Sequence, residues 1–362
     1  MILNRSRKRL IGQRLIGATA FALLSASCTT TTTTTTSAPV TAPFGDPTRA
    51  RPAIESPAPA APAIVAATPA AQALPAGSEW AARALTDIIV KQRLLLLGEV
   101  HDNAQQHLLR YEALRRALAA GARPMLLMEQ FDRDRQPELD RARLAARRDR
   151  RLADPAGFER LVDNVIDAGA PGRKGWDWSS YRGFIALALA YDLPLVGANL
   201  SRADASKIVA GGFDAAFNPG ERATLGLDRP PSDALLRAQT AEVIAGHCNQ
   251  IDAAQAGKMA LAQIARDAVM AALLRNNANR PAVLIAGNGH VRRDIGVPQW
   301  LGEAAATAIS VGLEEDAALP PGTALALTTE KTVGNVQTGR YDVVIATRAA
   351  ERADPCEGFK PR

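Results

Sequence analysis

Two of the chain's four histidines follow short apolar runs in the same pattern, Gly-x-x-His. Leu94–Leu97 lead into Gly98-Glu99-Val100-His101, and Ala282–Ala286 lead into Gly287-Asn288-Gly289-His290. Imidazole is the commonest metal ligand among side chains, and glycine lets the backbone turn sharply beside a ligand. The matched pair predicts a binding or catalytic site that contains His101 and His290. The alternative is two structural histidines that cap strand ends.

Glutamates stand at the ends of two of these apolar runs. Glu99 lies inside the first Gly-x-x-His motif, and Glu129 directly follows Met125–Met128. Two histidines with one or two carboxylates suit zinc, manganese or ferrous iron, which predicts Mn²⁺ or Zn²⁺ at His101, Glu129 and His290. In a hydrolase, Glu99 or Glu129 can act as general base to a metal-bound water. The alternative is a salt bridge with the arginines that follow His290, which are Arg292 and Arg293.

The remaining two histidines have open roles. His107 lies in an expected helix just after the first motif, where it can join the site or face solvent. Asp102 or Asn103 is expected to cap that helix by accepting backbone N–H bonds. His247 precedes Cys248 and is equally ambiguous, because no C-x-x-C motif supports a redox or zinc role.

An aromatic stretch offers a different ligand chemistry. Trp176-Asp177-Trp178-Ser179-Ser180-Tyr181 holds two of the chain's four tryptophans and one of its four tyrosines. A phenolate such as that of Tyr181 can ligate ferric haem, and Trp178 can stack on a porphyrin. The alternative is an aromatic anchor that packs a helix onto a sheet.

The elements that must position these residues alternate between strand and helix. This alternation predicts an α/β fold with a mainly parallel sheet flanked by helices on both faces, and a charged helical excursion after Glu129. Ligands bind outside the carboxyl ends of such strands, where Glu99, His101, Glu129, Asn199 and His290 are expected. The predicted strands are Leu94–Leu97, Met125–Met128, Leu195–Gly197, Ala282–Ala286, Thr307–Leu313 and Tyr341–Thr347. The predicted helices are Trp80–Lys91, Asn103–Ala120, Trp178–Tyr191, Ser201–Ala210, Ser232–Ala245 and Ala253–Asn276.

Residues 1–28 are predicted to be an export signal. A basic segment precedes the apolar run Leu15–Leu24, which at about ten residues is too short to span a bilayer as a mature helix. Leu24-Ser25-Ala26-Ser27-Cys28 resembles a lipobox, although its leucine stands one place early. We expect lipidation at Cys28 and, because Thr29 follows it, an outer-membrane lipoprotein that faces the periplasm. An ordinary cleaved signal is the alternative.

Residues 29–78 are rich in threonine, alanine and proline and are predicted to be a disordered tether. Residues 79–362 are expected to form one α/β domain. The net charge of +6 is modest, and the arginines of 141–151 lack interleaved aromatics, so no nucleic-acid partner is expected. Cys248 and Cys356 either form one bridge in an oxidising compartment or remain two thiols.

Taken together, these motifs resemble the ChaN family. The resemblance rests on Gly98 to Asn103 with His107, on Met128 to Phe131, and on Trp178 and Tyr181 before Asn199. It extends through Gly246-His247-Cys248, Gln263 to Met270, Gly287 to Pro298, including Arg292, and Asp354-Pro355-Cys356. One departure is Gln106, which stands where the family pattern suggests a second histidine.

The resemblance implies a haem-binding lipoprotein of bacterial iron uptake, in a superfamily with Tiki metalloproteases and erythromycin esterase-like enzymes. Haem is then expected at His101, His107, Trp178, Tyr181, Asn199, His247 and Arg292. Haem-uptake machinery and a second copy of the chain are expected partners. The alternatives are a metal-dependent hydrolase and a non-catalytic envelope scaffold, and whether the chain is an enzyme stays open. The sequence contains no GxSxG, Walker or GxGxxG motif to support a serine hydrolase, NTPase or dinucleotide reading.

Overall fold

The computed structural model describes residues 73–150, 154–328, 338–354 and 356–357. The predicted signal segment, Cys28 and residues 29–72 of the predicted tether lie outside the described residues. Within the described residues, no helix is long and apolar enough to cross a membrane.

The helices are α1 (Glu79–Lys91), α2 (Ala104–Ala119), α3 (Gln136–Asp149), α4 (Pro155–Gly169), α5 (Trp178–Ala190), α6 (Arg202–Gly211), α7 (Pro219–Leu225), α8 (Asp233–Gly246), α9 (Ala253–Asn276) and α10 (Asn288–Val291).

Within the described residues, seven strands form one sheet in the order β3-β2-β4-β1-β5-β7-β6. All neighbouring pairs are parallel except β6 and β7. The predicted α/β class with a mainly parallel sheet is therefore confirmed. The strands are β1 (Leu94–Leu97), β2 (Met125–Asp132), β3 (Leu195–Asn199), β4 (Ala282–Ile285), β5 (Ala308–Asp316), β6 (Ala324–Thr328) and β7 (Val343–Arg348).

Alternation along the strands explains why helices cover both faces of the sheet. Leu95 and Leu97 pack with α1, α2 and α5, whereas Leu96 packs on the opposite face with residues of α9. Successive side chains of a strand point to opposite faces, so an all-leucine strand must be covered twice. Fully burying each leucine contributes about 1.5–3 kcal/mol.

The packed domain begins slightly earlier than predicted. Leu74 packs against the main core, and the buried Ser78 hydroxyl donates to the Gly322 carbonyl at 2.8 Å. The charged helical excursion after β2 consists of α3 and α4. The prediction missed β6 and α7, which are five and seven residues long and carry weak periodic signals.

Polar caps begin several of the helices that carry site residues. Asn103, Ser201, Ser232 and Asp252 each accept a hydrogen bond from the backbone N–H three residues later. Such a cap satisfies one of the N–H groups that the first helical turn leaves without a partner. Of the two predicted caps of α2, Asn103 is the one used.

Candidate functional site

Three neighbouring strands bring the two Gly-x-x-His segments together with Glu129. β4 lies between β1 and β2, and Ile285 is in register with both Leu97 and Met128. The residues that follow therefore emerge at one edge of the sheet, as expected for parallel strands.

Two backbone contacts hold this edge. The Gly287 N–H donates to Glu129 Oε2 at 2.7 Å, and the Asn288 N–H donates to the Glu99 carbonyl at 2.9 Å. The side-chain oxygen Oδ1 of Asn288 also accepts a hydrogen bond from the Leu313 N–H at 3.1 Å, which anchors the turn to β5. The second motif is thus attached to three other strands.

Glu99 orients the imidazole of His101. Its Oε1 lies 2.8 Å from His101 Nδ1 and accepts a 2.6 Å hydrogen bond from the Tyr181 hydroxyl. Since a carboxylate only accepts, His101 Nδ1 carries the proton and Nε2 keeps its lone pair. The Glu99 side chain is fully buried, whereas 46% of the His101 side chain is exposed. The result is a fixed imidazole whose free nitrogen is available to a ligand.

A buried cation supports Glu99 from behind. Arg110, which is fully buried in α2, forms an ion pair with Glu99 Oε2. Its guanidinium also donates to His107 Nδ1 at 3.0 Å, while His107 Nε2 donates to the His101 carbonyl at 2.8 Å. Burial lowers the pKa of His107, in agreement with a neutral ring that accepts from Arg110. His107 is therefore a supporting residue behind the site.

The second imidazole, His290, lies between two carboxylates. Nδ1 donates to Asp267 Oδ1 at 2.6 Å, and Nε2 lies 3.5 Å from Glu129 Oε1. Burial alone lowers the pKa of His290, but the charges of Glu129 and Asp267 outweigh it and raise this pKa to about 10. Burial acts to raise the pKa of Glu129, yet His290 and the Gly287 N–H lower it to about 2. His290 is consequently an imidazolium at neutral pH.

A cavity of about 440 Å³ opens in front of these groups. Its walls come from both motifs and from the facing parts of α8 and α9. Its lining residues include Glu99, His101 and His290 from the two motifs, together with His247 after α8. The His247 Nδ1–H donates to the Val243 carbonyl at 2.7 Å, which leaves Nε2 with the lone pair. The cavity is thus bordered by two imidazoles, His101 and His247, with free Nε2 atoms.

Glycine is required where His101 meets the second motif. A Cβ on Gly287 would lie 2.8 Å from His101 Nε2 and 3.7 Å from Glu129 Oε2. Because real Cβ atoms almost never approach other atoms under 3.0 Å, any side chain here would displace the imidazole. The ring of Trp176 flanks His101 on another side, with centroids 5.0 Å apart.

Several predicted haem contacts lie away from the cavity. Trp178 and Tyr181 are buried at the start of α5, and the Tyr181 hydroxyl is directed to Glu99. Burial also raises the pKa of the Tyr181 phenol, so a phenolate ligand is disfavoured. Asn199 ends β3 and, like Trp178 and Tyr181, is not among the described lining residues of the cavity.

The arginines after His290 are engaged elsewhere. Arg292 pairs with Asp294 at 2.7 Å and with Glu242 at 2.6 Å, and Arg293 pairs with Asp342. The alternative in which they bind Glu99 or Glu129 is therefore wrong. Arg292 is buried and is not among the lining residues of the cavity. It positions Glu242, which is one of them.

Among the described residues, no group of three His, Cys, Asp or Glu side chains is arranged to hold a metal ion. His101, Glu129 and His290 approach one another but are not assembled as the predicted metal set. In this arrangement both ring nitrogens of His290 face carboxylates, and a metal ion bound there would have to displace the proton they share.

A disulfide joins Cys248, directly after His247, to Cys356 near the end of the described chain, with Cα atoms 5.4 Å apart. Of the two alternatives left by the sequence, the structure contains the bridge. Cys248 has a φ of 57°, which is uncommon for a residue other than glycine. The cross-link therefore holds the turn that follows α8 beside the cavity.

Reasoning from the sequence missed Asp267 and Arg110. Both are fully buried charged residues within otherwise apolar helical faces. A lone charge on such a face is costly unless it is paired, so each was a signal of a buried partner. The partners, His290 and Glu99, lie far away in sequence and could not be named from spacing.

Comparison with known proteins agrees with this architecture. The family model described as "Haem-binding uptake, Tiki superfamily, ChaN" matches residues 85–301. A solved structure of cofacial haem binding to ChaN of Campylobacter jejuni has a TM-score of 0.53 and 17% identity, covering 73% of this chain and 90% of that chain. An erythromycin esterase in its open conformation has a TM-score of 0.41 and 13% identity, covering 76% and 95%.

No curated protein was found to match the chain. At 17% identity the likeness to the Campylobacter jejuni ChaN shows the shared fold alone. The family model, by contrast, spans more than half of the chain and includes both Gly-x-x-His motifs. This protein therefore belongs to the ChaN family of haem-binding uptake proteins in the Tiki superfamily.

Proposed function

We propose that this protein binds haem for iron uptake, in the cavity at the carboxyl ends of β1, β2 and β4. The observation that carries the proposal is the pair of imidazoles, His101 and His247: both residues line the cavity, and in both the Nδ1 atom is hydrogen-bonded to the protein, which leaves the lone pair on Nε2. Imidazole is a common axial ligand of haem iron. The family match and the haem-binding ChaN of similar fold support the same ligand.

The donor set suits haem. In each imidazole, Nδ1 donates to a carboxylate or a carbonyl, the arrangement that orients iron- and zinc-binding histidines in general. His101 is further held by the buried Glu99, so little motion would be needed when a ligand arrives. We assign His101 and His247 as the residues that would hold the iron, and Tyr181 as a residue that positions His101 through Glu99.

The first experiment is a haem titration of the purified mature protein, followed by the Soret band. We expect a red-shifted band in the wild type, and altered spectra in His101→Ala and His247→Ala. Replacing His107, which is paired behind the site, should affect stability more than the spectrum. No spectral change in the wild type would overturn the proposal. An unchanged spectrum in both histidine variants would overturn the assigned ligands.

The location of the protein is proposed from the leader. A basic segment, a short apolar run and Cys28 in a lipobox-like string support an outer-membrane lipoprotein held by lipid and facing the periplasm. Haem-uptake machinery and a second copy of the chain are the partners we propose. Mass spectrometry of the mature N-terminus tests the anchor: an unmodified peptide beginning at or after Cys28 would contradict it.

Hydrolysis is a second candidate function, favoured by one observation. His101 has an unprotonated Nε2 in the cavity and a buried carboxylate, Glu99, on Nδ1, as a general base requires. The imidazolium of His290 lines the same cavity and can donate a proton or stabilise negative charge. In this reading Glu99 and Glu129 position the two histidines.

Ester and peptide turnover separates the two candidates. We expect a hydrolase to lose activity by at least about a hundredfold in His101→Ala and in His290→Gln, with or without added Mn²⁺ or Zn²⁺. A protein that binds haem and shows no turnover is a carrier. A protein that neither binds haem nor turns over substrate would support the scaffold alternative.

A further inference from the structure

A second cavity of about 320 Å³ adjoins the first one. It lies between α6, the end of α8 and the first half of α9. Val243, His247 and Gln263 line both cavities, so the two spaces meet at His247. A ligand that contacts His247 in the first cavity would therefore also adjoin the second cavity.

The walls of the second cavity are mixed in character. Ala205, Val209, Val243, Met259 and Ala262 give apolar surface. Arg202 at the start of α6 and Arg266 in α9 contribute two positive charges from different helices. Apolar walls with two cations suit an amphipathic anion.

Both guanidinium groups lack an anionic partner within the described chain. Arg202 forms no ion pair there, and Arg266 donates only to the Gln263 side chain, at 3.1 Å. The nearby carboxylates are occupied or more distant: Asp204 binds Lys207 at 2.7 Å, and Asp132 is influenced by the charge of Arg266 without forming a salt bridge to it. Arg202 is exposed and Arg266 is half-buried, and because both line the same cavity they can pair together with an external anion.

We infer that the second cavity binds the carboxylate edge of the ligand, with Arg202 and Arg266 pairing with the two propionates of haem. The inference rests on the proposed haem function and specifies which end of haem enters which cavity. Haem is apolar around most of its rim and has two carboxylates on one edge. The second cavity offers the matching combination of apolar walls and two cations.

The test compares haem with haem dimethyl ester, in which both propionates are neutral. Each is titrated into the full mature protein in the same detergent and followed by the Soret band. We expect the wild type to bind haem at least about tenfold more tightly than the ester, because charge-assisted hydrogen bonds are lost. Arg202→Gln with Arg266→Gln should weaken haem binding by about tenfold or more and leave ester binding unchanged.

Two controls accompany these variants. Arg202→Lys with Arg266→Lys retains the charges and should recover part of the preference for haem. Arg229→Gln removes an exposed arginine in the loop before α8 and should change nothing.

The outcomes distinguish this inference from the proposed function. Equal binding of haem and ester by the wild type, with a normal Soret band, would overturn the inference and leave haem binding standing. Equal loss of both ligands in the double glutamine variant would show that the arginines act through folding, and would also overturn it. Absence of any haem binding would overturn both proposals.

Discussion

Asp267 Oδ1 accepts a 2.6 Å hydrogen bond from His290 Nδ1. Asp267 lies in the middle of α9, and His290 follows β4. The carboxylate is fully buried and the imidazole nearly so. Burying a charged group costs free energy of desolvation, and the attraction between these two opposite charges offsets part of that cost. Glu129 faces the other ring nitrogen of His290. The two carboxylates thus stabilise a positively charged imidazole among the lining residues of the cavity.

This arrangement predicts how stability depends on pH. The folded protein raises the pKa of His290 to about 10 from an ordinary 6.5, so it binds this proton more tightly than the unfolded chain does. The stabilisation is complete below pH 6.5 and is lost as the pH rises through 10. Between those values the free energy of unfolding should fall by about 1.4 kcal/mol per pH unit from this group. Urea unfolding between pH 7 and 9 measures the slope.

The comparison protein is His290→Gln, which lacks the titrating group and should show a flatter profile at lower overall stability. Asp267→Asn removes one of the two carboxylates that raise the folded-state pKa of His290, so the decline should still begin near pH 6.5 but end at a lower pH. Parallel profiles in all three proteins would contradict the assignment of the proton to His290.

The Tyr181→Phe variant tests whether Tyr181 positions Glu99 or binds the haem iron. The lost hydroxyl donates to the buried Glu99, so we expect a destabilisation of about 1–3 kcal/mol. The Soret band of the haem complex should stay at its wild-type position, because the phenol is buried and not aimed at the cavity. A shifted band in Tyr181→Phe, equal to that of His101→Ala, would show that the tyrosine binds the iron.

Gly287→Ala tests the close approach at the cavity. Its Cβ would lie 2.8 Å from His101 Nε2, so the imidazole must move and haem affinity should fall about tenfold or more. Gly289→Ala is the matched control, because a Cβ there meets nothing within 4 Å. Titration of both variants decides the point: equal affinities would mean that the position of His101 does not matter.

Replacing Cys248 and Cys356 by serine opens a link between residues 108 apart in sequence. Loss of a cross-link across so long a loop should cost about 2–5 kcal/mol of unfolding free energy. Thermal unfolding of the variant, and of the wild type with and without a reductant, measures this cost. A reduced wild type as stable as the oxidised one would show that the bridge contributes little.

The strands that carry the site were predictable because burial on both faces requires continuous apolar runs. Leu94–Leu97 matches β1 in both bounds, and the run from Ala282 differs from β4 by a single residue. Their shared edge also followed from the parallel class. Two contacts could not be predicted from one sequence: Asp267 with His290, and Arg110 with Glu99.

The aromatic stretch shows why residue type alone misleads. Tyr181 and Trp178 have chemistry that suits a porphyrin, yet both lie in the core, where their rings contact each other and the Trp178 ring also contacts Phe131. Whether an aromatic ring faces a ligand or the interior depends on the rotation of α5 about its axis. The apolar positions of α5 surround most of that helix and do not determine the rotation.

The strand order determines when during folding the cavity is complete. β4 is inserted between β1 and β2, although both of those strands precede it by more than a hundred residues of chain. A chain emerging from synthesis, or one trapped halfway through folding, therefore has Glu99 and Glu129 but no Gly287 or His290 between them. Long-range strand insertion of this kind is slow compared with local helix formation. In the proposed function, haem binding at this cavity therefore requires that β4 is already in place, and a chain that lacks it would not compete for haem there.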